Sequence, residues 1–130
     1  MTQPLRILDV GQCGFDHSAI ADVVHKQTGA IVEQAGSAAQ AVAILASQSY
    51  DLVLINRILD GDGTSGVDLI AQLKTNPNCP PLMMVSNYPD AQRAAVKAGA
   101  LEGFGKNALY LASTAKILQA AVERKTASGG

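Results

Sequence analysis

Five short apolar runs alternate with five segments of helical period along this 130-residue chain, and the alternation predicts an α/β fold. Two further observations support it. Runs such as DLVLI, residues 51–55, are almost continuously apolar, as strands covered on both faces are. The segments between them repeat apolar residues three and four apart, the spacing of one buried helix face.

The elements follow in order. The first strand, Leu5–Val10, leads into a helix whose buried face carries Ile20, Val23 and Val24. The second, Ala30–Gln34, is followed by Ala38, Ala41, Val42 and Leu45, with Ser37 as the N-cap after Gly36. The third, Asp51–Ile55, precedes Val67, Ile70 and Leu73, and that helix ends before Asn76-Pro77. The fourth, Leu82–Val85, precedes a helix that starts at Pro89, a residue suited to a first turn, and ends at Ala98-Gly99. The fifth, Glu102–Gly105, is short and contains glycine; the helix after it carries Leu111, Ile117, Leu118 and Val122. Right-handed crossovers leave few ways to connect such units. The expected architecture is a flavodoxin-like (βα)5 three-layer sandwich with a parallel five-stranded sheet of order 2-1-3-4-5. Its crevice lies at the carboxyl ends of strands 1 and 3. Residues 1–125 are expected to form a single domain, and 126–130 a flexible tail.

Composition narrows the function. Apolar residues make up 48% of the chain and aromatic residues 4%, so the core is aliphatic. The net charge of −1, with Lys and Arg scattered, gives no footprint for nucleic acid. No run reaches the ~20 apolar residues that span a bilayer, and no basic stretch followed by an apolar one opens the chain. A cytoplasmic protein is expected. Cys13 and Cys79 fall at opposite ends of the sheet, roughly a strand length of ~17 Å apart, too far for a disulfide. Neither belongs to a C-x-x-C pair, so no zinc site is expected.

The topology brings Asn56, Ser86 and Lys106 to one crevice beside Gly11 and Gln12. A hydroxyl and an ammonium facing one point suit an anion, and the helix start after Gly11 adds backbone N–H groups. The plainer alternative is that Ser86 caps the turn into helix 4 while Lys106 neutralises nearby acids. An amide at the end of strand 3 is neither a useful nucleophile nor a strong metal ligand.

These residues bring a resemblance with them. RILDVGQC, YDLVLINRILDGDG, PLMMVSNYPDAQRAAVKAGA and GFGK together resemble the receiver domain of bacterial two-component response regulators, over residues 5–122. In that family a strand 1 acid pair and a strand 3 aspartate bind Mg²⁺, and the aspartate takes a phosphoryl group from a histidine kinase. A strand 4 hydroxyl and a strand 5 lysine contact the phosphoryl oxygens. Carried onto this chain, Ser86 and Lys106 match, the acid pair falls on Gly11 and Gln12, and the phosphoacceptor falls on Asn56. Three carboxylates are missing, which implies a degenerate pseudo-receiver. The family's switch aromatic falls on Gly103, with Phe104 on the opposite face. Its proline after the lysine falls on Asn107, which makes a cis peptide improbable there. The loop Leu59–Ser65 is longer than usual.

Other residues have plainer explanations. Asp9, one pleat below Gly11, pairs with Lys106 as a charge substitute or makes a structural hydrogen bond. Asp60 and Asp62 lack the later acids of a calcium loop and suit a solvated turn. Cys13, Asp16 and His17 suit an ordinary helix start more than a metal site, and His25 suits a helix end. GFGK is not a P-loop, and no dinucleotide motif or nucleophile elbow appears. No enzyme activity, cofactor or metal is expected.

The resemblance thus implies a stand-alone atypical receiver in phosphorelay-type signalling that acts by phosphorylation-independent binding to another signalling protein. Nucleic acid and membrane are not expected partners, and a homodimer is compatible. The family's usual partner face would present Tyr88, Asp90, Arg93, Lys97, Glu102 and Tyr110. The alternatives are a noncovalent sensor of a small anion at Ser86, Lys106 and the Gly11 backbone, and phosphorylation at a substitute acid such as Asp60 or Asp9.

Overall fold

A computed structural model describes residues 4–129, with side chains to residue 123. The strands are β1 (Arg6–Val10), β2 (Ile31–Ala35), β3 (Leu52–Asn56), β4 (Leu82–Val85) and β5 (Leu101–Phe104). The helices are α1 (Gly14–Thr28), α2 (Ala38–Ser47), α3 (Gly66–Leu73), α4 (Pro89–Lys97) and α5 (Ala112–Gly129). The sheet order is β2-β1-β3-β4-β5, with every pairing parallel, as the alternation predicted. Strand boundaries differ from the expected ones by about one residue, the normal uncertainty at element ends. The expected tail from 126 onward falls in the last turn of α5 and on Gly130, which lies outside the described residues.

Side chains alternate across the sheet and make two cores. Ile7, Leu52, Leu54, Met83, Val85 and Phe104 pack against α1 and α5 with Ile20, Val24, Leu118 and Val122. Leu8, Val10, Val53, Ile55, Leu82 and Met84 face α2 and α3 with Ala41, Leu69 and Ile70. Each fully buried aliphatic side chain contributes about 1.5–3 kcal/mol. β1, β3 and β4 supply most of them because helices cover both their faces. No described helix is long and apolar enough to cross a membrane.

The helix ends place the carboxyl-end loops. Ser37 caps α2 as expected, accepting from the Gln40 amide at 3.2 Å. Cys13 caps α1, its Sγ 3.5 Å from the Asp16 amide, and Gly29 closes α1 in the left-handed region at φ 77°. Pro89 occupies the first turn of α4.

The β4–β5 edge is irregular. Met83 pairs with Leu101 and Val85 with Phe104, so β5 carries one extra residue, a bulge. Gly103 sits in it, and a Cβ there would come within 2.1 Å of the Met84 carbonyl oxygen. Gln92 reaches in from α4, its Nε2 lying 3.0, 3.1 and 3.2 Å from the carbonyl oxygens of Met84, Ser86 and Phe104. Gly103→Ala is therefore expected to destabilise the chain by about 1–3 kcal/mol, measured as a lower midpoint of urea unfolding.

Candidate functional site

The site begins with the turn that ends β1. Gly11 adopts φ 83°, a left-handed conformation that a side chain disfavours. Its amide donates to the Ala35 carbonyl at 2.7 Å, and its carbonyl accepts from the Asp60 amide at 2.9 Å. A Cβ on Gly11 would lie 2.3 Å from Leu59 Cδ2. Leu59 is buried and fills the space over the turn.

Leu59 is held there by a small hairpin. Ile58 and Ser65 form an antiparallel bridge. The Leu59 amide donates to Thr64 O at 2.9 Å, and Gly63 returns the chain at φ 71°. The Gly61 amide donates to Gly36 O at 3.0 Å. Asp62 accepts from the Thr64 amide at 3.0 Å and from the Ala38 amide at 3.2 Å, which ties the hairpin to the start of α2. The Thr64 bonds hold the Asp62 carboxyl below its ordinary value. The segment expected as a solvated turn is exposed at residues 60–63 but anchored on both sides.

Asn56 joins this hairpin to β1. Its Nδ2 donates to Gly11 O at 3.0 Å and to Ile58 O at 2.9 Å, and its Oδ1 accepts from the Arg57 amide at 2.9 Å. The side-chain amide thus spans two carbonyls, a geometry that requires donors.

Asn56, Ser86 and Lys106 do share one open cleft of about 260 Å³, with Arg57, Ile58, Val85, Asn87 and Tyr88. Gly11 and Gln12 do not line it, contrary to expectation, because Leu59 covers the first and the second is buried. Gln12 takes its carbonyl to Gln34 Nε2 at 3.3 Å, while its own side-chain amide has no hydrogen-bond partner. The Gly11 amide, expected to help hold an anion, is engaged by Ala35. Ser86 is buried, and its Oγ accepts from the Tyr88 amide at 3.1 Å, which fixes the turn into α4.

Of the two alternatives open for Asp9, the pair with Lys106 does not form; each residue has another partner. Asp9 is fully buried, and its Oδ2 lies 2.7 Å from His17 Nδ1. Lys106 Nζ donates to Asp16 Oδ2 at 2.8 Å. Both side chains of that second pair are about a third exposed, so the ammonium keeps part of its hydration; beside Asp9 it would lose more. Burial pushes the Asp9 carboxyl up, opposed by His17 and by the nearby Gln12 amide, which lies close without making an ordinary hydrogen bond. The Lys106 hydrogen bond holds the Asp16 carboxyl below its ordinary value. Cys13 and Cys79 are both free. Among the described residues no group of three or more His, Cys, Asp or Glu is placed to hold a metal ion.

Tyr88, Asp90, Arg93, Lys97, Glu102 and Tyr110 are all exposed. Asp90 and Arg93 pair with each other. Tyr88 lies under the Arg57 guanidinium, 4.6 Å from its ring centroid. The sequence assigns no role to Arg57, Leu59 or Gln92. The glycine-rich loop hinted at a hairpin, but nothing local tells where Leu59 docks.

The family model for the response regulator receiver domain matches residues 16–109. The chain belongs to the response regulator receiver domain family. Several solved structures share the fold. NtrX from Brucella abortus is 21% identical with a TM-score of 0.73, over 98% of this chain and 29% of that one. This receiver thus spans under a third of NtrX. A response regulator from Thermotoga maritima is 18% identical with a TM-score of 0.70, over 96% and 99% of the two chains. The chemotaxis response regulator CheY4 of Vibrio cholerae is 14% identical with a TM-score of 0.69, over 95% and 99%. No curated protein matches the receiver.

Two outcomes follow from this geometry. Asn56→Asp places a carboxylate between two carbonyl oxygens and removes both donors, so it is expected to destabilise the fold by about 1–3 kcal/mol. The new carboxyl is pushed up. The deficit is therefore smallest below about pH 4, the ordinary carboxylate range, and grows as pH rises through the raised folded value. Asp16 behaves oppositely. Its folded value is lowered, so its contribution is present above about pH 4 and lost as pH falls through that lower value. Asp16→Asn should flatten the acid limb of stability, read by urea unfolding at stepped pH.

Proposed function

We propose that this receiver is a signalling module that binds another protein without being switched by aspartyl phosphorylation, and that it is not an enzyme. One observation carries the proposal. At the family's phosphoacceptor position, the Asn56 side chain is engaged between Gly11 O and Ile58 O, with Leu59 packed over the turn where the acid pair would stand.

The chemistry points the same way. An amide oxygen is a poor nucleophile because its lone pair is delocalised. Mg²⁺ prefers charged oxygen ligands, and Gly11, Gln12 and Asn56 offer none. Without the metal, the charge of a transferring phosphoryl group has little to offset it. The two substitute acids are poorly placed: Asp9 is buried against His17, and Asp60 does not line the cleft with Ser86 and Lys106. A small-anion sensor is disfavoured because the Gly11 amide and the Lys106 ammonium already have partners. A cytoplasmic location suits such a module.

Intact mass after incubation with a small-molecule phosphodonor and Mg²⁺ tests the proposal. No phosphoryl gain is expected in the wild-type chain, nor in Asn56→Asp, where the acid pair is still missing. A gain in the wild type would sink it, and peptide mapping would then locate the acid that reacted.

A further inference from the structure

Three arginine side chains are described, and two have carboxylate partners: Arg6 with Glu33 and Arg93 with Asp90. Arg57 makes no ion pair among the described residues. Its guanidinium carbon lies over Tyr88, 4.6 Å from the ring centroid. Both residues line the cleft of about 260 Å³ that also holds Ser86 and Lys106, and no carboxylate lines it. The charge of Lys106 is already answered by Asp16. The cleft therefore presents one uncompensated positive charge.

Its lining is mostly polar, with two apolar side chains left open to solvent. Ile58 and Tyr88, in the lining, are 42% and 60% exposed. A free inorganic anion makes no use of such residues. A peptide does, because tyrosine and arginine are among the side chains in which binding energy between proteins concentrates.

We infer that this cleft docks an acidic peptide segment of a partner protein, with an Asp or Glu carboxylate on Arg57 and its apolar neighbours on Tyr88 and Ile58. A guanidinium suits the task because its planar fork can meet a carboxylate through two N–H groups while its face stays on an aromatic ring. One charge also matches one carboxylate better than a phosphate dianion. This inference rests on the receiver acting by protein binding and names where and by what chemistry it does so.

The test is selection of a randomised peptide library on the full chain, followed by fluorescence anisotropy with the selected peptides. They are expected to carry an acidic residue beside apolar ones. Arg57→Glu should weaken binding by about tenfold or more, Tyr88→Ala should weaken it, and Arg57→Lys should restore only part. Exchanging the peptide's acid for its amide should weaken binding to the unaltered chain equally, a measurement independent of whether any variant folds. Selected peptides without an acid, full binding to Arg57→Glu, or no selected peptide would overturn the inference. Binding of inorganic phosphate alone at Arg57 would assign the cleft to a free anion and overturn it too. Phosphoryl uptake in the mass experiment would defeat the earlier proposal instead, whatever the peptides do.

Discussion

The carboxyl end of this sheet depends on one close approach, that of Leu59 to the backbone of Gly11. No side chain fits at Gly11 while Leu59 stays where it is, and the left-handed turn there excludes most side chains in any case. Once the two backbones are this close, the Gly11 carbonyl, which already accepts from the Asp60 amide, and the Ile58 carbonyl both come within reach of one side chain. Asn56 supplies two N–H groups there. Aspartate, isosteric with it, supplies none in its ionised form. Gly11 and, 45 or more residues later, Asn56 and Leu59 therefore form one mutually dependent unit.

That unit redistributes charge. The carboxylates lie off the cleft, in two pairs that tie the start of α1 to the sheet and to the segment after β5: Asp9 with His17, and Asp16 with Lys106. The first pair is buried and the second half-buried, so each ammonium or imidazole meets an acid in surroundings suited to it. The cleft itself is left with hydroxyl, amide and guanidinium groups. Such a lining favours recognition of an anionic group and offers no Mg²⁺ a charged ligand.

The opposite edge is also fixed locally. The bulge in β5 exists because Gly103 lets two backbones approach, and the Gln92 amide fills the gap, its two N–H groups shared among three carbonyls. α4 is thereby hydrogen-bonded to the ends of β4 and β5, at the place where the family carries its switch aromatic. Phe104, next in sequence, lies in the core under α1 and α5.

Strand and helix alternation, sheet order and the apolar faces were legible in the sequence, because periods of two and of three to four residues are properties of neighbouring residues. The convergence of Asn56, Ser86 and Lys106 was legible too, since a parallel sheet puts all strand carboxyl ends on one side. The pairing of Lys106 with Asp16 rather than Asp9 was not. Both acids are within reach, and relative burial, a property of the packed core, selects between them. Nor could the sequence show that Leu59 covers Gly11 or that Arg57 stacks on Tyr88. Hairpin residues have no periodicity, and their docking is set by contacts far apart along the chain. The sequence by itself determined the fold and put glycine, glutamine and asparagine at positions 11, 12 and 56; only the tertiary structure decided what packs around them, because that depends on which loop docks there.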